Sequence, residues 1–176
     1  VKNDWRPVPL SEGVCDGGHV TMSDGKTFEV KPSLRGIPID LGVQSVQQGG
    51  QSLVFAETRV RSKSLATKAS DVVSQLLGKK ELAVLEKTSK QILAENEHTE
   101  IVKTLATLVR KGVAFHHAGL NQKCREIVEK EFRKGTIKLL SSTPTLAAGV
   151  NLPARRVVIS NINRYNAKVG ANRPIS

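Results

Sequence analysis

Between residues 113 and 160 the sequence alternates between short apolar runs and one longer stretch with helical spacing. Residues 113–116, 136–140 and 156–160 are mostly apolar runs of strand length, bounded by turn-forming residues. Residues 122–134 repeat apolar side chains at helical spacing, and Asn121 can cap the first turn. Strand, helix and strand in this order need a crossover connection. The sequence therefore predicts an α/β fold in which helices flank a parallel sheet.

The residues before this segment supply further helices, one more core strand and a different N-terminal region. Apolar spacing predicts a strand over 51–56 and helices over 37–48, 61–77, 80–94 and 101–109. Residues 6–31 instead place short apolar runs between glycine-containing turns, which is typical of β-structure. We therefore expect a β-rich connector over residues 1–31 and an α/β domain over residues 32–176.

The charge of the chain indicates a polyanionic partner. Lys and Arg number 27 against 16 Asp and Glu in 176 residues, a net charge of +11. Nucleic acid is the better expectation than a membrane surface, because no basic amphipathic anchor helix and no apolar run of spanning length is evident. A generally basic composition without a specific partner is the alternative. The two cysteines, Cys15 and Cys124, do not form a metal-ligand pattern, and Cys124 is expected to be a buried, inert thiol.

A polar loop follows the predicted strand 136–140 and contains groups suited to phosphate contacts. We expect Ser141 and Ser142 to form a turn after that strand. Thr143 and Thr145 carry hydroxyl donors, and Gly149 allows close approach of a ligand to the backbone. Asn151 offers both a donor and an acceptor. Loops at strand ends are where open α/β sheets bind ligands, although these residue types also occur in ordinary surface loops.

Four segments of the chain resemble motifs of superfamily-two helicases. The run TPTLAAGVNLPA at 143–154 resembles motif V in its superkiller-like branch, and AFHHAGL at 114–120 is similar to a strand-and-loop motif of the same branch. LVF at 53–55, leading to Thr58 and Arg59, resembles motif IV. DWRPVPL at 4–10 is similar to the segment that leaves the first RecA-like domain in archaeal fork-repair DNA helicases of the Holliday-junction-migration type. The order of the segments matches the second RecA-like domain of such an enzyme.

This resemblance implies a division of roles among the residues. In such enzymes ATP and Mg²⁺ are bound mainly by the first RecA-like domain. The second domain closes on the nucleotide and binds one nucleic-acid strand. The nucleotide-facing residues implied here are Gly149 and Asn151. The nucleic-acid contacts implied are Thr58, Arg59, His117, Ala118, Gly119, Thr143 and Thr145. A hairpin over 161–176 is implied to separate strands, with Arg164, Tyr165, Lys168 and Arg173 as its working side chains.

Two motifs of the resembling enzymes have no counterpart in this sequence. No stretch fits GxxxxGKS or GxxxxGKT, and no acidic DExH motif is present. Gly25-Lys26-Thr27 imitates the end of the first pattern, but Val20 stands where its first glycine is needed, so we expect a tight turn between two strands. The arginine-rich motif VI should begin just beyond Ser176. We therefore expect a fragment that contains no catalytic residue, binds no metal and does not hydrolyse ATP alone.

The expected partners are single-stranded and forked DNA, ATP, and the first RecA-like domain of the same protein, with no membrane. The expected activity of the whole enzyme is unwinding in the three-prime to five-prime direction during fork repair and recombination, in the archaeal cytoplasm near the nucleoid. An RNA helicase of the same branch is the alternative, and the isolated chain could act as a non-catalytic nucleic-acid-binding module. Among the charged residues of 122–134 we expect a salt-bridged surface and no binding site. Of His116 and His117, one ring is expected to pack inward and the other to face the nucleic-acid groove.

Overall fold

A four-stranded parallel sheet forms the centre of the computed structural model. The structure describes residues 9–146, 152–161, 163–166 and 171–174, and only the backbone of residues 145, 163–166 and 171–174. In chain order the strands and helices are β1 (Gly13–Asp16), β2 (His19–Met22), β3 (Thr27–Glu29), α1 (Ile37–Gln47), β4 (Ser52–Phe55), α2 (Arg59–Gln75), α3 (Lys79–Ala94), α4 (Glu100–Arg110), β5 (Val113–His116), α5 (Gln122–Arg133), β6 (Leu139–Ser142), β7 (Arg156–Ile159), β8 (Asn163–Asn166) and β9 (Ala171–Pro174). A single 3-10 turn, Pro144–Leu146, follows β6.

The strand order of the central sheet is β5-β6-β4-β7, and all neighbours are parallel. The register pairs Leu53 with Leu140 and with Val157, so these three residues share one face of the sheet. Parallel strands cannot be joined by tight turns, and the connections here run through helices, as the alternating sequence pattern requires. The α/β fold with a parallel sheet flanked by helices is confirmed.

Helices pack on both faces of the sheet and bury β5, β6 and most of β4, whereas Val157 and Ile159 of the edge strand β7 are exposed. A Cβ added at Gly42 of α1 would lie 3.0 Å from Leu139 and 3.4 Å from Val54, so this helix lies directly on the sheet. The side-chain Nε2 of Gln51, just before β4, donates to the backbone carbonyl oxygens of Phe132 and Ile137 at 2.6 and 2.8 Å. Polar bonds of this kind satisfy backbone groups at the ends of buried elements. The largest fully buried side chains are Phe115, Phe132, Ile39, Leu65, Leu85, Ile92, Leu105, Ile137, Leu139, Leu140, Val54 and Val73.

Three helices begin at side chains that accept a backbone hydrogen bond. Asn121 caps α5 by accepting from Cys124 N, as its position in the sequence predicts. Thr58 caps α2 through Arg61 N, and Thr99 caps α4 through Val102 N. Caps of this kind place the start of α2 and the start of α5 directly after loops that leave the sheet. Cys124 is fully buried, so the expectation of a buried thiol is confirmed, and burial raises the pKa of that thiol in the direction expected for an inert cysteine.

The N-terminal strands form a small antiparallel sheet that contacts the main sheet through an arginine. β1, β2 and β3 pair in that order, and Gly25, with φ of 82°, forms the tight turn expected between β2 and β3. The guanidinium of Arg156 in β7 lies 5.8 Å from the centre of the Phe28 ring. The predicted division into a connector over residues 1–31 and a domain over residues 32–176 stays a prediction. The contact between Arg156 and Phe28 joins the two parts and does not define a boundary between them.

The predicted boundaries of β6 are wrong. The strand begins at Leu139, because the amides of Thr136 and Ile137 donate to Glu131 O in the turn that follows α5. It continues through Ser141 and Ser142, which we expected to form a turn. Both serines are fully buried, and Ser142 Oγ donates to His116 O at 2.9 Å. The Ser142 hydroxyl fits a buried strand because it finds a backbone acceptor, whereas Ser141 Oγ is buried without a hydrogen-bond partner.

The backbone of β8 and β9 forms the antiparallel hairpin that was expected at the C-terminal end of the chain. Arg164 pairs with Arg173 and Tyr165 pairs with Asn172, while Lys168 lies outside the described residues. Within the described part of the chain, no helix has the length and apolar character needed to cross a membrane.

Candidate nucleic-acid interface

Loops that carry the predicted contact residues leave the same edge of the sheet. β5, β6 and β4 are neighbours and parallel, so their carboxyl ends lie side by side. The loops that follow them begin at residues 56, 117 and 143. This is the edge at which open α/β sheets place ligand-binding residues. The structure therefore brings together the segments that resemble motif IV, the HHAGL motif and motif V.

Backbone hydrogen bonds join these loops beyond the ends of the strands. Ala56 N donates to Ser142 O at 2.8 Å, and Thr143 N donates to His116 O at 3.2 Å. His116 O also accepts from the Ser142 hydroxyl. The start of each loop is thus fixed relative to its neighbour, and the edge is a single surface.

The start of α2 presents Thr58 and Arg59 to solvent. Both residues are exposed, and Thr58 Oγ1 accepts from Arg61 N at 3.1 Å while its own hydrogen remains available as a donor. The first turn of a helix also has unpaired N–H groups and a positive end of the helix dipole. Anionic oxygens bind well at such a position. The placement suits the predicted contacts with phosphate.

The loop after β5 exposes its backbone and buries its histidine. Ala118 and Gly119 are exposed, whereas His117 is only 3% exposed and stacks on Phe115 with ring centres 5.3 Å apart. His116 is also buried. The expectation that one histidine ring faces the nucleic-acid groove is therefore wrong. Both rings pack inward, since one stacks within the loop and the other reaches α5.

His116 is held by a charged network on α5. Its Nε2 lies 3.0 Å from Glu129 Oε1, and Glu129 also pairs with Arg133 at 3.3 Å. Burial lowers the pKa of His116, against the opposing effect of Glu129. The Nδ1 atom of His116 and the Nε atom of Arg125 are buried without a hydrogen-bond partner. Together with the pair Lys134–Glu131 at 2.8 Å, this network confirms the expected salt-bridged surface of the helix.

The loop after β6 is described only in part. Thr143 is 8% exposed, and its backbone is bonded to the HHAGL loop as given above. The backbone of Thr145 lies in the 3-10 turn Pro144–Leu146, and nothing is described of its side chain. Gly149 and Asn151, the residues implied to face the nucleotide, lie outside the described residues. Their roles stay predictions.

The sequence reasoning missed Arg156 as a residue that connects elements. Its Nη1 donates to Leu41 O at 2.9 Å and to Gln44 Oε1 at 2.6 Å, both on α1. Burial lowers the pKa of its guanidinium, with a further contribution from neighbouring Arg155. The available signal in the sequence was an arginine at the start of a predicted strand, because such a side chain needs acceptors nearby if it is buried. Among the described residues, no cluster of three or more His, Cys, Asp or Glu side chains is placed to hold a metal ion.

Comparison with known proteins agrees with this geometry. The chain is 43% identical over 174 residues to the ATP-dependent DNA helicase Hel308 of Pyrobaculum calidifontis. The aligned region covers 97% of this chain and 24% of that relative. It is 41% identical over 171 residues to the protein of the same name from Methanocella arvoryzae, covering 97% of this chain and 23% of the relative. For the Pyrococcus horikoshii protein of that name, identity is 40% over 166 residues, covering 94% and 22%.

The chain spans about a quarter of the length of these curated relatives. Residues 70–168, more than half of the chain, match the model of the helicase conserved C-terminal domain. That range contains β5, the HHAGL loop, β6 and the motif V segment. The resemblance that the motifs carry is confirmed, and the chain belongs to the helicase conserved C-terminal domain family.

Proposed function

We propose that this chain is the second motor domain of an ATP-dependent DNA helicase that unwinds forked DNA in the three-prime to five-prime direction. The observation that supports it most directly is the common edge of the sheet, where loops 56–59, 117–119 and 143–146 lie side by side. Its relatives of about 40% identity are named ATP-dependent DNA helicases. The net charge of +11 suits a nucleic-acid partner.

The proposed grip is a set of contacts with phosphates. Thr58 and Arg59 offer a hydroxyl, a guanidinium and the amides of the first helical turn, and Ala118 and Gly119 offer exposed backbone. Contacts of this kind hold a strand in place and do not read its sequence. We therefore expect single-stranded DNA to bind without sequence preference, and motif V, through Thr143 and Thr145, to continue the same track.

Hydrolysis of ATP is proposed to need a second domain. Phosphoryl transfer depends on positioning and charge neutralisation, and the sequence has neither a phosphate-binding GxxxxGKS/T motif nor an acidic DExH motif. In the proposed enzyme a first RecA-like domain holds ATP and Mg²⁺, and Gly149 and Asn151 approach the nucleotide from this side. The hairpin carrying Arg164, Tyr165, Lys168 and Arg173 is proposed to part the duplex. Its working place is proposed to be the cytoplasm, at sites of replication-fork repair.

Binding of a fluorescent oligothymidylate, followed by anisotropy at several salt concentrations, tests the proposed grip. Each phosphate neutralised should contribute about −0.7 to the slope of log K against log salt. Arg59→Met should weaken binding and reduce this slope by about one such unit. Arg61→Met is the matched control, because Arg61 is an exposed arginine two residues further along the same helix. Equal effects of the two substitutions, or an affinity that does not depend on salt, would contradict the proposal.

Unwinding by the longer protein that carries this domain tests the substrate class. Forked DNA should be separated faster than an RNA duplex of the same sequence. A preference for RNA would favour the RNA helicase of the same branch. Binding without any unwinding of either duplex would leave only the nucleic-acid-binding module.

A further inference from the structure

Four side chains or backbone groups form a small cluster where the HHAGL loop meets the start of α2. Phe115 is fully buried in β5, and the His117 ring stacks on it with an interplanar angle of 17°. The backbone N–H of Gly119 donates to His117 Nδ1 at 3.0 Å. This bond closes the loop on itself, two residues after the strand has ended.

The hydrogen bond fixes the protonation state of His117. Because Nδ1 accepts, it carries no proton, and the proton of the neutral ring is on Nε2. Burial lowers the pKa of His117, and Arg59 and His116 lower it further. The neutral ring is therefore the form that matches this loop conformation at neutral pH.

The side-chain position that Gly119 leaves empty lies between the His117 ring and the stem of Arg59. A Cβ added at Gly119 would lie 3.0 Å from both Cε1 and Nδ1 of His117 and 3.6 Å from Arg59 Cδ. The value of 3.0 Å is closer than ordinary carbon contacts allow. A side chain here would press on the His117 ring, so close packing favours glycine, and no positive φ is involved. Arg59 Cδ therefore lies close to the Gly119 position of the loop.

The geometry points to His117 as a positioning residue that does not touch the DNA. Its neutral ring holds the backbone of Ala118 and Gly119, and through Gly119 the stem of Arg59, in the arrangement that presents both to phosphate. This inference rests on the proposed function, which supplies the phosphate. Protonation of Nδ1 removes the acceptor for Gly119 N–H and adds a positive charge beside Arg59. Acid should therefore loosen the grip.

The predicted sign of the pH effect separates this role from direct contact. A histidine that bound phosphate would bind it better when charged, so affinity would rise as pH falls. The charged and titratable groups that face His117 are Arg59 of α2 and His116 of β5, and beyond His116 lie Arg125 and Glu129 of α5. All four remain in a His117 variant. A comparison of the two proteins at each pH therefore isolates the contribution of His117.

Three substitutions test the inference in the 176-residue chain. His117→Asn keeps an acceptor near the position of Nδ1 but does not titrate, and His117→Phe keeps the stacked ring without the acceptor. His98→Asn removes an exposed histidine elsewhere as a control. At pH 7.5 the Phe variant should bind oligothymidylate about 2- to 12-fold more weakly. This ratio corresponds to the net free energy of one hydrogen bond. The Asn variant should recover most of this loss.

The pH series and nuclear magnetic resonance complete the test. From pH 7.5 to 5 the unmodified chain should lose affinity relative to His117→Asn, and His98→Asn should behave like the unmodified chain. Histidine ¹⁵N shifts should show the Nε2–H tautomer of His117, and the Gly119 amide should exchange slowly and become fast in the Phe variant. The inference is overturned by an Nδ1–H tautomer, by unchanged affinity of the Phe variant, or by affinity that rises in acid relative to the Asn variant.

Failure of the proposed function gives a different pattern. If the unmodified chain does not bind the oligonucleotide at any salt concentration, the proposed grip is wrong and the role in DNA binding falls with it. The tautomer and the exchange rate of Gly119 would still decide whether His117 holds the loop.

Discussion

Replacement of Arg156 by methionine should weaken the packing of β7 on α1 and the contact of β7 with the N-terminal sheet. Arg156 Nη1 donates to Leu41 O at 2.9 Å and to Gln44 Oε1 at 2.6 Å, and its guanidinium lies 5.8 Å from the centre of Phe28. Methionine keeps most of the stem and removes the charge and the donors. The change therefore tests the polar contacts more than the packing.

The expected loss is about 3 kcal/mol of unfolding free energy. Hydrogen bonds to a charged group contribute roughly 1.5–3 kcal/mol, and a cation–π contact adds roughly 0.5–1 kcal/mol at a partly exposed site. The two hydrogen bonds and the cation–π contact together give roughly 3.5–7 kcal/mol, and removing the half-buried charge returns part of its desolvation cost, so the net loss is expected slightly below that range. A domain of this size loses about 2–4 °C of melting temperature per kcal/mol, which gives a fall of about 6–12 °C.

Thermal unfolding followed by circular dichroism measures this fall, and hydrogen exchange locates it. Amides paired between β2 and β3, such as those around Phe28, should exchange faster in Arg156→Met, and amides of β5, which open only on global unfolding, should accelerate by no more than the fall in unfolding free energy allows. Arg61→Met is the control, because an exposed arginine without such contacts should change stability by less than about 0.5 kcal/mol. A fall of under about 2 °C, or unchanged exchange of the amides around Phe28, would refute this account of Arg156.

Three further outcomes are expected. Thr58→Ala should lower the free energy of unfolding by about 1 kcal/mol, because it removes the cap of α2. Thr58→Ser keeps the cap and should leave the stability near that of the unmodified chain, and chemical unfolding measures both variants. The free energy of unfolding should fall as pH drops below about 6.5, since the lowered pKa values of His116 and His117 let the unfolded chain bind more protons in that window. Above it their contribution is complete, and a pH series of urea midpoints that stays flat through the window would contradict the assignment. In the longer protein, a tight turn in place of residues 164–173 should abolish unwinding and spare DNA-stimulated ATP hydrolysis, so normal strand separation by that variant would exclude the hairpin as the wedge.

Local periodicity was sufficient to predict the elements that position the candidate site. β5 occupies the predicted residues, and α5 begins at Gln122 after its Asn121 cap, because apolar spacing and cap chemistry act within a few residues. The common edge of the sheet follows from the parallel order of the strands. The placement of Thr58 and Ala118 at that edge could therefore be predicted from the sequence alone.

Contacts between distant residues account for what the sequence did not reveal. Ser141 and Ser142 have turn chemistry, but Ser62 Oγ bonds to Ser141 O and Ser142 Oγ bonds to His116 O. Those partners lie 79 and 26 residues away, so the local pattern does not contain them. The burial of His117 depends in the same way on Phe115 and Gly119 being folded around it. Strand alternation predicted opposite directions for the two histidines, and the loop turned the second one inward.

The hydrogen bonds beyond the strand ends decide how this edge can respond to a bound nucleotide. Ala56 bonds to Ser142 and Thr143 bonds to His116, so a shift of the motif V loop at its first residue must stretch bonds to both neighbouring loops. All four residues are buried, so these bonds are shielded from water and independent motion of the loops is costly. In the proposed enzyme, closure on ATP would then carry the whole edge, with Arg59 and the Gly119 loop, as one body. Movement of a DNA strand would follow from rotation of the domain against its partner, and the N-terminal sheet held by Arg156 would have to absorb or transmit that rotation.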